Sequence, residues 1–79
     1  MRDPMLLPED GFIDQMAVAI ASHGLRRVQL TMRERELATA FMLLRGATRS
    51  SIARNLGLPS LYCADRLMRK ARSQFQLAA

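Results

Sequence analysis

Four cations, Arg66, Arg69, Lys70 and Arg72, lie close together, and Leu61, Tyr62 and Asp65 stand directly ahead of them. A guanidinium grips carboxylates and phosphates through two parallel bonds, so the chemistry on offer is anion recognition rather than bond breaking. Nucleic acid and an acidic protein surface are the two partners such chemistry serves. An aliphatic and an aromatic side chain rimmed by arginines also has the composition of a protein-interface hot spot. The bland counterpart is a solvated basic face, with Leu61 folded into the turn before it and Tyr62 lying flat on the preceding helix.

Catalytic and metal chemistry find little material. The chain has one cysteine, Cys63, and one histidine, His23, in 79 residues. Neither an internal disulfide nor a set of metal ligands at usable spacing can be assembled from them. Cys63 is expected in the core and His23 at a helix C-terminus, where it favours the dipole. No cofactor, metal or small-molecule ligand is expected, and a chain this short has few side chains to spare for the walls of a cleft. An enzyme is therefore not expected. No apolar run approaches the roughly 18 residues of a membrane span. The first residues also lack a basic patch followed by an apolar stretch, so a protein of the reducing cytoplasm, without membrane contact, is expected.

Charge divides the chain. Residues 1–24 hold Arg2 against Asp3, Glu9, Asp10 and Asp14, whereas eleven of the twelve basic residues, ten of them arginine, follow and face only three acids. The overall charge is +5, concentrated after residue 24.

The elements that would position these groups are helical. Pro4 and Pro8 mark residues 1–8 as a flexible lead. Ile13, Met16, Ala17 and Ile20 then follow the helical period beside Phe12, which predicts a first helix over about 10–22, with Asp10 and Asp14 at its positive end and Gly24 as its stop. Residues 25–30 read as an extended connector; a strand there would lack a partner. Thr31 and Glu34 form a capping box for a second helix with Leu37, Phe41 and Leu44 as its buried stripe and Gly46 as its end. Thr48 caps a third helix, and Pro59 permits only the start of a fourth, over about 60–74, with Cys63, Leu67 and Ala71 at four-residue spacing beside Ala64, Met68 and Phe75.

Between those last two helices the residues follow a helix-turn-helix order. Ile52 points inward, Ala53 is small where the helices cross, Leu56 is inward again, Gly57 makes a positive-φ corner, Leu58 plugs beneath it, and Cys63 with Leu67 pins the second helix. The predicted fold is an all-α single small bundle of four to five helices spanning 9–75, with the helix-turn-helix at about 48–74 and a tail over 76–79.

From Leu30 to about Arg72 the chain resembles known regulators. Leu30, Thr31, Arg33, Glu34, Arg35 and Glu36, then Gly46, Ile52, Ala53, Leu56 and Gly57, look like the DNA-binding domains of LuxR-type regulators and of sigma-factor region 4. Gly46, Ala47, Thr48, Ile52, Ala53, Leu56 and Gly57, followed by Asp65, Arg66, Arg69 and Lys70, are similar to a narrower family. That family is the variant helix-turn-helix domain of transfer regulators in proteobacterial integrative and conjugative elements. The resemblance implies transcriptional activation or, in short stand-alone members of about this length, antiactivation: binding activator proteins and silencing quorum-sensing and transfer genes.

The residues bear on that choice. A base-reading helix presents Arg, Lys, Gln, Asn, Ser or Thr from its first two turns into the major groove. Here Ser60, Leu61, Tyr62, Ala64 and Asp65 stand there, and Asp65 has the wrong sign for phosphate. Arg49, Arg54, Lys70 and Arg72 are placed for backbone contacts that carry no sequence information. The expectation is a module gripping a transcriptional activator through Leu61, Tyr62, Asp65, Arg66 and Arg69, with nucleic-acid binding weak and non-specific or absent. The alternative is a small DNA-binding repressor or excision factor acting as a dimer, since one short domain makes few contacts. The first helix would either close the bundle or supply the dimer contact.

Overall fold

Thr31 starts the helix around which the rest of the chain is arranged. In the computed structural model, which describes residues 3–76, the Glu34 amide donates to Thr31 Oγ1 at 3.2 Å and the Thr31 amide donates to Glu34 Oε1 at 2.8 Å. Both halves of the capping box are therefore formed, and α2 runs Met32–Leu44. Glu34 Oε2 accepts a further bond, from the Asp14 amide at 2.6 Å. One carboxylate thus ties the head of α2 to the head of α1, Gln15–Ser22. The remaining helices are α3, Arg49–Leu56, and α4, Leu61–Phe75; β1, Leu6–Leu7, and β2, Leu30–Thr31, complete the order β1-α1-β2-α2-α3-α4. The described residues form a small helical protein of four helices with a two-stranded scrap of sheet, measuring 29 × 25 × 24 Å.

The strand has a partner after all. Leu6 and Leu7 pair in parallel with Leu30 and Thr31, the Leu30 amide donating to the Met5 carbonyl at 3.0 Å. Gln29 Nε2 donates to the Pro4 carbonyl at 2.9 Å, so the segment read as a flexible lead is bound to the body from residue 3 onward. Its first two residues, like the tail beyond Gln76, lie outside the described residues.

α1 is shorter than its periodicity predicts. Asp14 is the N-cap, accepting from the Ala17 amide at 3.0 Å, while Asp10 accepts from the Phe12 amide and turns the chain before the helix begins. Val18, Ala21 and Ser22 face inward; Phe12, Ile13 and Met16 are exposed, and Ile20 is half-buried. α1 ends at His23, as its position before Gly24 implies. Gly24 adopts φ +68°, and a Cβ there would stand 2.9 Å from Asn55 Oδ1, so the turn needs glycine twice over.

The expected stripe of α2 is turned outward. Phe41 and Leu44 are 44% and 69% exposed and Leu37 is half-buried, while Ala38 and Met42 lie in the core. α2 is the central helix, packed by α1 and α4, and the small Ala38, with no exposed surface, suits close approach where Phe41 would not fit. Both stripes obey the same period; side-chain volume decides between them.

Thr48 caps α3, accepting from the Ser51 amide at 3.2 Å, and Ser60 caps α4, accepting from the Cys63 amide at 3.3 Å. Between them Gly57 takes the left-handed conformation, φ 64°, and closes α3. Ile52 and Leu56 are buried from α3, and Ala64, Leu67 and Ala71 from α4. Each large aliphatic removed from water contributes about 1.5 to 3 kcal/mol. Leu58 packs half-buried against this core, as does Ala53, which is less enclosed than a crossing residue would be. Cys63 is also half-buried and not in the core, because the inward row of α4 passes through Ala64 and Leu67, one residue further on. Phe75, expected beside that row, is exposed.

Candidate protein-interaction surface

Ser60 sets where α4 begins, and that fixes the direction of every side chain on its first turns. With Ala64, Leu67 and Ala71 committed to the core, Leu61 and Tyr62 project to solvent at 41% and 64% exposure. Arg66, one turn on, places its guanidinium carbon 5.9 Å from the Tyr62 ring centroid, at the outer limit of a cation–π contact. The aromatic and the arginine form one patch, with Arg69 a further turn along the helix.

Asp65 does not stand free in that patch. Its Oδ2 lies 3.2 Å from Arg49 Nη1, joining α4 to α3. A residue expected to choose a partner and one expected to touch phosphate therefore neutralise each other. Lys70 is likewise engaged, its Nζ 3.2 Å from Glu36 Oε2, a carboxylate buried on α2. Arg54 is exposed on α3 and its carbonyl accepts from Arg27 Nε at 3.1 Å; Arg72 is half-buried near the end of α4. Arg66 and Arg69 make no salt bridge among the described residues. Two of the cations expected at phosphate, Arg49 and Lys70, are thus each paired with an acid within the fold.

No family model, curated protein or solved structure matches the chain. The geometry of the surface is accordingly what bears on function. Among the described residues no group of three or more His, Cys, Asp or Glu side chains could hold a metal ion, and no helix is long and apolar enough to cross a membrane.

Two features escaped the sequence. One is an open groove of about 580 Å³ beside the patch, on the face of α4 that carries Cys63, Arg66 and Ser73, with Pro59 of the preceding turn at its edge. It is walled from the other side by Asp3, Leu6 and Met32, with the buried Arg35 reaching it from α2. No local signal announces a groove formed between α4 and a segment nearly sixty residues away in sequence. The other is a recess of about 400 Å³ between α1 and α2, lined by Val18, His23, Leu37, Phe41 and Arg45. Arg45 Nη2 closes one side of it by donating to the Ser22 carbonyl at 2.6 Å. The misassigned stripe of α2 was its signal: apolar residues in surplus of what the core takes.

Proposed function

We propose that the chain is a non-enzymatic transcriptional regulator in which α3, the Gly57 turn and α4 act as a helix-turn-helix whose exposed helix grips a protein. In this reading it is an antiactivator: it binds transcriptional activators and represses the quorum-sensing and conjugative-transfer genes of an integrative and conjugative element. The observation that carries the reading is the exposure of Leu61 and Tyr62 on the first turn of α4. Base-reading polar side chains are needed there for sequence recognition, whereas an apolar pair with Arg66 and Arg69 beside it is suited to a desolvated anchor with a charged rim. The internal pairing of Arg49 and Lys70 weakens the case for DNA further, because each phosphate contact would first have to break a bond within the fold.

The test is functional. Co-expression with a co-resident activator should lower transcription from that activator's promoter, while purified protein should bind operator and scrambled DNA alike and lose both steeply with salt. Nanomolar, sequence-selective binding to one operator at physiological salt would replace this reading with that of a DNA-binding repressor or excision factor. The exposed Phe41 and Leu44 favour that second reading, since they offer such a protein a dimer contact on α2.

A further inference from the structure

The segment Asp3–Leu7 occupies one wall of the groove along α4, and it is held almost wholly by bonds that any extended peptide could make. Its Pro4 and Met5 carbonyls accept from Gln29 Nε2 and the Leu30 amide, and Leu6 and Leu7 remain 36% and 37% exposed. Residues 8–13, which link it to α1, are exposed throughout, with Glu9 accepting from the Arg33 amide as their one side-chain tie to α2.

The side chain that holds it is Asp3, and the seat it fills is undersupplied with acceptors. Arg35 is 4% exposed, and its Nη2 lies 2.9 Å from Asp3 Oδ2. That contact is close enough for an ion pair but is not an aligned hydrogen bond: Nε and Nη2 are both out of water without an aligned acceptor among the described residues. A buried guanidinium presents five donors in a fixed fork and is best met by a carboxylate approaching in its plane. Asp3 meets it poorly. Along the same groove Arg66 and Arg69 make no salt bridge among the described residues, and Met32, Leu58 and Leu67 supply an apolar lining.

We propose that the seat of Asp3–Leu7 is an exchange site for an extended, acidic, leucine-bearing segment of another protein. The incoming segment displaces the strap, runs parallel to Leu30–Thr31 through the same main-chain bonds, sets a carboxylate squarely on Arg35, and extends further acids toward Arg66 and Arg69. This is strand addition, in which main-chain bonds give affinity and side-chain pockets give selectivity. Charge complementarity selects the occupant: the strap carries Asp3 and belongs to the acidic first 24 residues, whereas Arg35, Arg66, Arg69 and Lys70 line the groove. The inference goes beyond the role of Leu61 and Tyr62, which line no part of this groove.

The experiment uses a fluorescent peptide copying residues 3–8, Asp-Pro-Met-Leu-Leu-Pro, titrated into full-length wild type and full-length Asp3→Asn, with binding read by anisotropy. The tethered strap competes at high effective concentration in the wild type, so the peptide should bind Asp3→Asn at least tenfold more tightly. A peptide with Asn at its first position should lose at least tenfold on either protein, a comparison that does not depend on any variant folding. No saturable binding, equal affinity for the two proteins, or equal affinity of the two peptides would overturn the proposal. Size-exclusion chromatography of unliganded wild type covers the remaining occupant. A monomer is expected, and a dimer that the peptide dissolves would assign the seat to a second copy of this chain instead.

Discussion

Arg49 Nη1 on α3 lies 3.2 Å from Asp65 Oδ2 on α4, and the pair spans the turn at Gly57 while standing beside the exposed Tyr62. Both partners are about half exposed, so the bond orients more than it stabilises. Asp65→Ala should lower stability by no more than about 1 kcal/mol. Removing the acid also frees Arg49 and adds net positive charge, so non-specific DNA binding should strengthen and become more salt-dependent. Thermal melting together with a salt titration of DNA binding reads both effects; an unchanged DNA affinity would mean that Arg49 does not face the nucleic acid at all.

Glu34 joins two helix starts, accepting from the Thr31 and Asp14 amides. Glu34→Ala strands both donors, and the loss should exceed about 2 kcal/mol. Glu34→Gln retains one acceptor oxygen and should recover part of it. Chemical denaturation of the two variants measures the difference.

Ala64 has no exposed surface, whereas Ala53 is half-buried. Ala64→Leu should overpack the interior by about 1 to 3 kcal/mol, and Ala53→Leu should cost less because its side chain can lean outward. Equal losses in thermal melts would move the close approach of the helices back to Ala53, where the sequence alone placed it.

What could be read from the sequence follows the range of the interactions involved. The caps at Thr31 and Thr48 and the left-handed Gly57 depend on residues three or four apart, and each is formed as its local chemistry dictates. The pairing of Leu6–Leu7 with Leu30–Thr31 was invisible because nothing local marks a two-residue strand whose partner is twenty-four residues away. Periodicity misled in α2, where Phe41 and Leu44 satisfy the helical repeat as well as Ala38 and Met42 do. At the candidate site the exposure of Leu61 and Tyr62 was legible, since the core needs only one row of α4. The engagement of Asp65 by Arg49 and of Lys70 by Glu36 was not, because those contacts exist only once the helices pack.

Acid should loosen the N-terminal strap. Burial raises the Asp3 carboxyl pKa, but the Met5 amide and the Arg35 guanidinium together outweigh it and hold the group below its ordinary value of 3.8. A carboxylate depressed in the folded state contributes stability above its unfolded pKa and loses that contribution as pH falls through the lower folded value. Amide exchange at Leu30, whose N–H donates to Met5, should therefore accelerate selectively as pH drops below about 4 once intrinsic exchange is corrected. Asp3→Asn should show the fast exchange already at neutral pH, and identical profiles for the two proteins would show that Asp3 does not hold the strap.

The central claim is that Leu61 and Tyr62 anchor a partner protein, and affinity for a co-resident transcriptional activator, measured beside the circular dichroism of the same variants, tests it most directly. Tyr62 is 64% exposed and outside the core, so Tyr62→Ala and Leu61→Ala should keep the helical signal and thermal midpoint of the wild type. A buried anchor lost from an interface costs at least about 2 kcal/mol, roughly thirtyfold in affinity. Each substitution should weaken activator binding by about that factor and relieve repression in proportion. Folded variants of both residues that bind the activator as tightly as wild type would contradict it, and would move the interface to the α1–α2 face where Phe41 and Leu44 are exposed.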